Sequence, residues 1–154
     1  MDKRDRDPVA LLYEGVQLVR PLLRNITKRV EADLEGTGVS VGQRAILEAL
    51  LGLSRATAPQ LTRALDVKRQ FVARELQDLH ARGLVEQTGN PAHKTSAFYS
   101  LTPGSHALIT AIRAREQAEF ARFAAGYARE EIEAFHRIIS ALNAGMKTDT
   151  PVGD

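Results

Sequence analysis

Two helical segments in this chain, 57–65 and 68–82, are separated by nothing more than Asp66 and Val67. A link that short makes the two segments one compact unit, the arrangement of a helix-turn-helix. The first segment carries its own start signal: Thr57 at the N-cap position, Pro59 inside the first turn and Gln60 placed to reach back. Leu61 and Leu65 form its apolar side, and Gly83 sits where a left-handed residue ends the second segment. Two strand candidates follow at once, 84–88 and 96–101, joined by Gly89-Asn90-Pro91 and a polar tip containing His93, Lys94 and Thr95. Helix, turn, helix, hairpin is the order of a winged helix-turn-helix.

The flanks of this unit read as helix. Asp7-Pro8 is a helix start, and apolar residues recur at helical spacing from Leu11 to Leu34, with Pro21 expected to kink the helix and Gly36 and Gly38 to close it. So long an apolar face requires a partner, either the C-terminal helices or another subunit. Ser40 and Gln43 have capping-box spacing ahead of a buried helix. Thr102-Pro103 opens a long helix ending near Ala125, Gly126 breaks it, and a last amphipathic helix runs from Glu130 to Ala144. Glu130 and Glu131 complement the dipole at its start. The expected fold class is mainly α (α+β): a winged helix-turn-helix with a two-stranded β-wing, plus long N- and C-terminal helices. At 154 residues the simplest organisation is a single domain, with a lobe at 39–101, flanking helices at 8–35 and 103–145, and a disordered tail at 146–154.

Composition removes several activities. With no cysteine, disulfides, thiolate catalysis, thiol redox sensing and cysteine-based zinc sites are excluded. The four histidines, His80, His93, His106 and His136, lack metal-ligand spacing, so no metal is expected. Ser40 and Ser105 have helix-start explanations, and no Gly-rich phosphate loop or other catalytic constellation is present. Neither an enzyme nor a cofactor is expected. No apolar run reaches membrane-spanning length, and the charged start MDKRDRDPV lacks the apolar core of a secretory signal, so the expected location is the cytoplasm. The formal net charge of +2 hides a gradient, because the stretch from Arg55 to Lys94 has seven Lys/Arg against four acids.

On a helical wheel of 68–82, Val72, Leu76 and Leu79 cluster on one side, which must be buried. Opposite lie Gln70, Arg74 and Gln77, with Ala73 on the shoulder. That exposed set suits the DNA major groove: arginine bonds guanine in a fork, glutamine pairs with adenine, and alanine permits close approach. Phe71 lies on the flank and reads as a packed residue. Lys68 and Arg69 at the helix start, with Arg55, Arg63, Lys94 and the Thr57 hydroxyl or amide, are candidate backbone contacts.

The segment from Val39 to Leu108 resembles the MarR family of winged-helix transcriptional regulators. The resemblance rests on QRAILEAL, TAPQLTRAL, a second helix ending in Leu79-x-x-x-Gly83-Leu84-Val85, and a Leu101-Thr102-Pro103-Gly104 opening of the next helix. It implies that N- and C-terminal helices of two subunits pair into a dimer interface, so 8–35 and 103–145 become dimerisation helices. It also implies a crevice for a small aromatic or anionic effector, bordered by the first helix, the helix after Ser40 and the start of the helix after Thr102, with Tyr13, Arg20 and Arg24 as candidate polar elements. The chain departs from the family at the wing tip, where His93-Lys94-Thr95 replaces the usual Asp-Arg-Arg type of run. Lys94 keeps a charge but lacks the planar fork suited to a narrow groove. The expected function is a homodimeric DNA-binding regulator, a repressor released by an effector. The rival expectation is a winged helix that docks a protein through the Gln70/Arg74 face and does not bind DNA.

Overall fold

The computed structural model of the protein describes residues 6–147. Its elements are α1 (Pro8–Leu34), α2 (Val41–Leu53), β1 (Arg55–Thr57), α3 (Ala58–Leu65), α4 (Arg69–Ala81), β2 (Val85–Thr88), β3 (Phe98–Leu101), α5 (Pro103–Ala124) and α6 (Arg129–Gly145). The chain divides into two compact units, one ending at Ala45 and the other beginning at Ile46, so the division falls within α2. The expected tail begins at Met146, and beyond Lys147 it lies outside the described residues.

In the first unit, the Asp7 carboxylate accepts from the Val9 N–H at 3.2 Å, capping α1, with Pro8 as the first helical residue. The helix continues through Pro21 unbroken. Gly36 and Gly38, at φ of 79° and 71°, turn the chain away from it. Ser40 and Gln43 then form a reciprocal box: the Gln43 N–H donates to Ser40 Oγ (3.1 Å) and the Ser40 N–H to Gln43 Oε1 (3.2 Å). The apolar side chains of α1 stay mostly outside any core. Val9, Leu11, Leu12, Leu18, Leu22 and Leu23 are all exposed.

The second unit holds the core. Ile46, Leu47 and Leu50 of α2, Leu61 of α3, Val72, Leu76 and Leu79 of α4, Val85 of β2, and Ile109 and Ile112 of α5 are all essentially inaccessible to water. Burial of this kind is worth about 1.5–3 kcal/mol for each large aliphatic side chain. The turn between α3 and α4 is made by Asp66, which caps α3 in the left-handed conformation (φ 52°, ψ 50°). Aspartate tolerates that region better than most residues. The sheet has three antiparallel strands in the order β1-β3-β2, not the wing hairpin alone. Strand β3 is central, pairing Val85 with Leu101 on one side and Arg55 with Ser100 on the other. The three residues of β1 are too few to show an alternating pattern, which is why this strand emerges only from pairing.

The second helix of the pair stops at a full Schellman motif. The Gly83 N–H donates to the His80 carbonyl (3.1 Å) and the Leu84 N–H to the Leu79 carbonyl (2.9 Å), with Gly83 at φ 71°. A Cβ at Gly83 would meet no atom within 4 Å. The cost of replacing it is therefore purely conformational, and Gly83→Ala is expected to lower unfolding free energy by about 1–2 kcal/mol. Urea denaturation checks this: the midpoint falls with an unchanged slope, and Gly83→Asn loses less than Gly83→Ala.

Candidate nucleic-acid interface

Burial of Val72, Leu76 and Leu79 (each 1% exposed or less) fixes the rotation of α4 about its own axis. Helical periodicity then turns Gln70, Ala73, Arg74 and Gln77 outward, and all four are exposed. Lys68 is the N-cap residue of α4 and makes no side-chain cap bond; with Arg69 it lies exposed at the helix start. Arg63 is exposed in the last turn of α3. Among the described residues, none of Arg63, Lys68, Arg69 or Lys94 forms an ion pair.

Three site residues are engaged in ways that local sequence does not announce. Arg74 bonds its neighbour: Nε and Nη2 lie 3.0 Å and 2.9 Å from Glu75 Oε1. Its guanidinium carbon also sits 5.7 Å from the centroid of the Phe71 ring. Adjacent residues on a helix do not normally face each other, so the Arg-Glu step carries no signal by spacing. Phe71, half-buried as its place on the flank implies, doubles as a platform for the arginine. Arg55 of β1 stacks on Phe98 of β3, its guanidinium carbon 4.4 Å from the ring centroid, a contact set by strand register.

Thr57 also has a structural task. It is only 8% exposed, and it closes the capping box of α3. Its N–H donates to Gln60 Oε1 (2.8 Å), and its hydroxyl accepts from the Gln60 N–H (3.4 Å). The Thr57 N–H is engaged in the cap, while the hydroxyl accepts there and keeps its own hydrogen. The same start signal that marked the helix in sequence engages the amide.

The wing loop is ordered by its own hydrogen bonds. Asn90 Oδ1 accepts from the Ala92 N–H (3.1 Å), the His93 N–H donates to the Asn90 carbonyl and the Ser96 N–H to the His93 carbonyl, both at 3.2 Å. These turns leave His93 and Lys94 exposed at the tip. At the base, His80 Nδ1–H donates to the Val85 carbonyl (3.2 Å) and ties the end of α4 to β2. No group of three potential metal ligands occurs among the described residues, and none of their helices is long and apolar enough to cross a membrane.

Two further features bear on the expected effector. Tyr13, Arg20 and Arg24 are all exposed and share one face of α1 by helical spacing. Within the second unit, an open groove of about 400 Å³ is lined by Glu48 of α2 and by Arg113, Gln117 and Phe120 of α5. The Arg113 Nε lies 3.6 Å from Glu48 Oε1 there. This groove borders the middle and end of α5, whereas the sequence points to its start.

With that geometry in hand, likeness to known proteins is informative. A model of the MarR family matches residues 37–94. The crystal structure of a MarR family transcription regulator superposes with a TM-score of 0.83 and is 49% identical, over 88% of this chain and 90% of that one. Streptococcus pneumoniae FabT, solved in complex with DNA, superposes with a TM-score of 0.78 at 17% identity, over 87% of this chain and 96% of that one. At that identity the likeness is one of fold. An uncharacterised protein of Mycobacterium tuberculosis is 32% identical over 95 residues, or 62% of this chain. The match spans 66% of that relative, just under two thirds of its length.

Proposed function

The chain belongs to the MarR family of transcription regulators, and from that premise we propose that it binds DNA sequence-specifically as a homodimer and represses transcription. The observation that carries the reading is the exposed row of Gln70, Ala73, Arg74 and Gln77 on a helix locked by its buried opposite face. Arg74 reads guanine, Gln70 and Gln77 read adenine, and Ala73 lets the backbone approach. Lys68, Arg69 and Arg63 hold the phosphates, Arg55 joins them from the sheet edge, and Lys94 adds charge from the wing. FabT, with the same fold, was crystallised on DNA, which supports this use of the lobe.

The dimer is supported by apolar surface that a monomer has no use for. Leu18 and Leu23 on α1 are more than 60% exposed, as are Phe120 and Phe123 on α5, and Phe135 of α6 is 60% exposed. Large apolar residues at this density mark an association surface. Two recognition helices in such a dimer read half-sites about one turn, roughly 10 bp, apart. For the effector, the groove beside Phe120 offers an aromatic face, which suits a small aromatic molecule. A ligand that favours a spacing of the lobes unlike the DNA-bound one releases the operator.

A mobility shift on the chain's own upstream DNA, with random duplex as competitor, tests the central claim. Binding that random duplex displaces equally, or no binding at all, overturns it and leaves the protein-docking module. Arg74→Ala is expected to cost about 1–3 kcal/mol on the cognate site and to relax its base preference. Lys94→Ala is expected to weaken all sequences alike and to reduce the slope of log affinity against log salt by about one. Phe135→Glu is expected to shift the protein from dimer to monomer in analytical ultracentrifugation; a wild-type monomer refutes the dimer outright.

A further inference from the structure

The contact between Arg74 and Glu75 has a consequence for how bases are chosen. A guanidinium has two edges on which it can form a forked pair, one made by Nε and Nη2 and the other by Nη1 and Nη2. Glu75 faces the first: its Oε1 accepts from Nε–H (3.0 Å) and lies 2.9 Å from Nη2 as an ion pair. Among the described residues Nη1 makes no hydrogen bond, so the second edge stays available. The asymmetry in burial fits this division. The Glu75 side chain is 13% exposed and therefore held by its surroundings, while that of Arg74 is 73% exposed and open to solvent. The guanidinium carbon also lies over the Phe71 ring, 5.7 Å from its centroid, so the group is held on one edge with an aromatic ring beneath it.

We propose that Glu75 is a positioning residue for base selection: it grips the Nε/Nη2 edge of Arg74 over Phe71 and leaves the Nη1/Nη2 edge to meet O6 and N7 of guanine. The inference rests on the reading of Arg74 as a base contact. The donors balance, since Nε–H goes to the carboxylate while Nη1 and Nη2 each keep a hydrogen on the outer edge for the base. Gripping the arginine before binding removes side-chain freedom that docking otherwise has to remove, which sharpens guanine recognition. It has an opposite effect on unspecific affinity. A carboxylate beside the groove-facing helix repels phosphates and partly neutralises Arg74, so Glu75 weakens binding to DNA at large while strengthening the choice among sequences. A residue that merely stabilised α4 would raise both together.

That difference in sign supplies the test. The full-length wild type, Arg74→Ala, Glu75→Gln and the double variant are each used to select from a randomised duplex library. Each is then titrated on the preferred duplex, on the same duplex with the Arg74-dependent guanine replaced, and on an unrelated duplex. Glu75→Gln is expected to reduce guanine discrimination about tenfold while affinity for unrelated duplex holds or rises, and to have no further effect on discrimination once Arg74 is alanine. Unchanged discrimination in Glu75→Gln, with loss in Arg74→Ala, overturns the proposal and leaves the base-reading role intact. If Arg74→Ala leaves discrimination unchanged, the base-reading role falls and the proposal with it. An equal effect of Glu75→Gln with and without Arg74 also overturns it, because Glu75 then acts through something else. A measurement on the wild type covers the case in which Glu75→Gln fails to fold. The Arg74 15Nε–1Hε resonance, assigned by its absence in Arg74→Ala, is expected to be shifted and slow to exchange in the free protein. A rapidly exchanging resonance at the position of solvated arginines overturns the grip.

Discussion

Everything at the proposed interface depends on the burial of three aliphatic side chains. Val72, Leu76 and Leu79 lie in the core of the second unit, and a helix anchored along one stripe cannot rotate about its axis without exposing them. The rotation decides which side chains look outward. The Schellman stop at Gly83 then decides where the helix ends, and the His80–Val85 contact carries that endpoint into β2. The wing is thus held at a set distance from α4 by backbone geometry and the His80 side-chain bond. Loss of the apolar stripe would disturb the outward face and the wing together.

The cations of the lobe divide into two groups with different physics. Arg74 and Arg82 are paired in the free protein, Arg82 to Asp78 at 3.1 Å, and Arg55 lies on an aromatic ring. Each is already oriented, and each must share or exchange a partner to meet a ligand. Arg63, Lys68, Arg69 and Lys94 stand exposed and act as plain charges. In the proposed DNA complex, long-range attraction and local selection therefore fall to different residues. The modest formal charge of the chain is no measure of either.

Legibility in the sequence followed the range of the interaction. Capping boxes at Ser40 and Thr57, the left-handed turn at Asp66 and the stop at Gly83 involve residues within a few positions of one another, and the structure places each where its residue types require. The exposed set on α4 was legible because a single period relates it to the buried one. Strand β1 was not, since three residues carry no period and its partner β3 lies far along the chain. The engagement of the Thr57 amide was legible in principle, because the box that caps α3 requires that same hydrogen.

The sequence by itself determined the order of elements, the inward and outward faces of α4 and the residues exposed there, because these depend on local propensity and helical repeat. Tertiary structure decided the third strand, the stacking of Arg55 on Phe98 and the side-chain conformation that brings Arg74 to Glu75 over Phe71. The first two require strand pairing, which joins residues that no local pattern links. The third requires Glu75 to be held nearly buried, so that a neighbour with no reason to face it by spacing reaches across to its carboxylate.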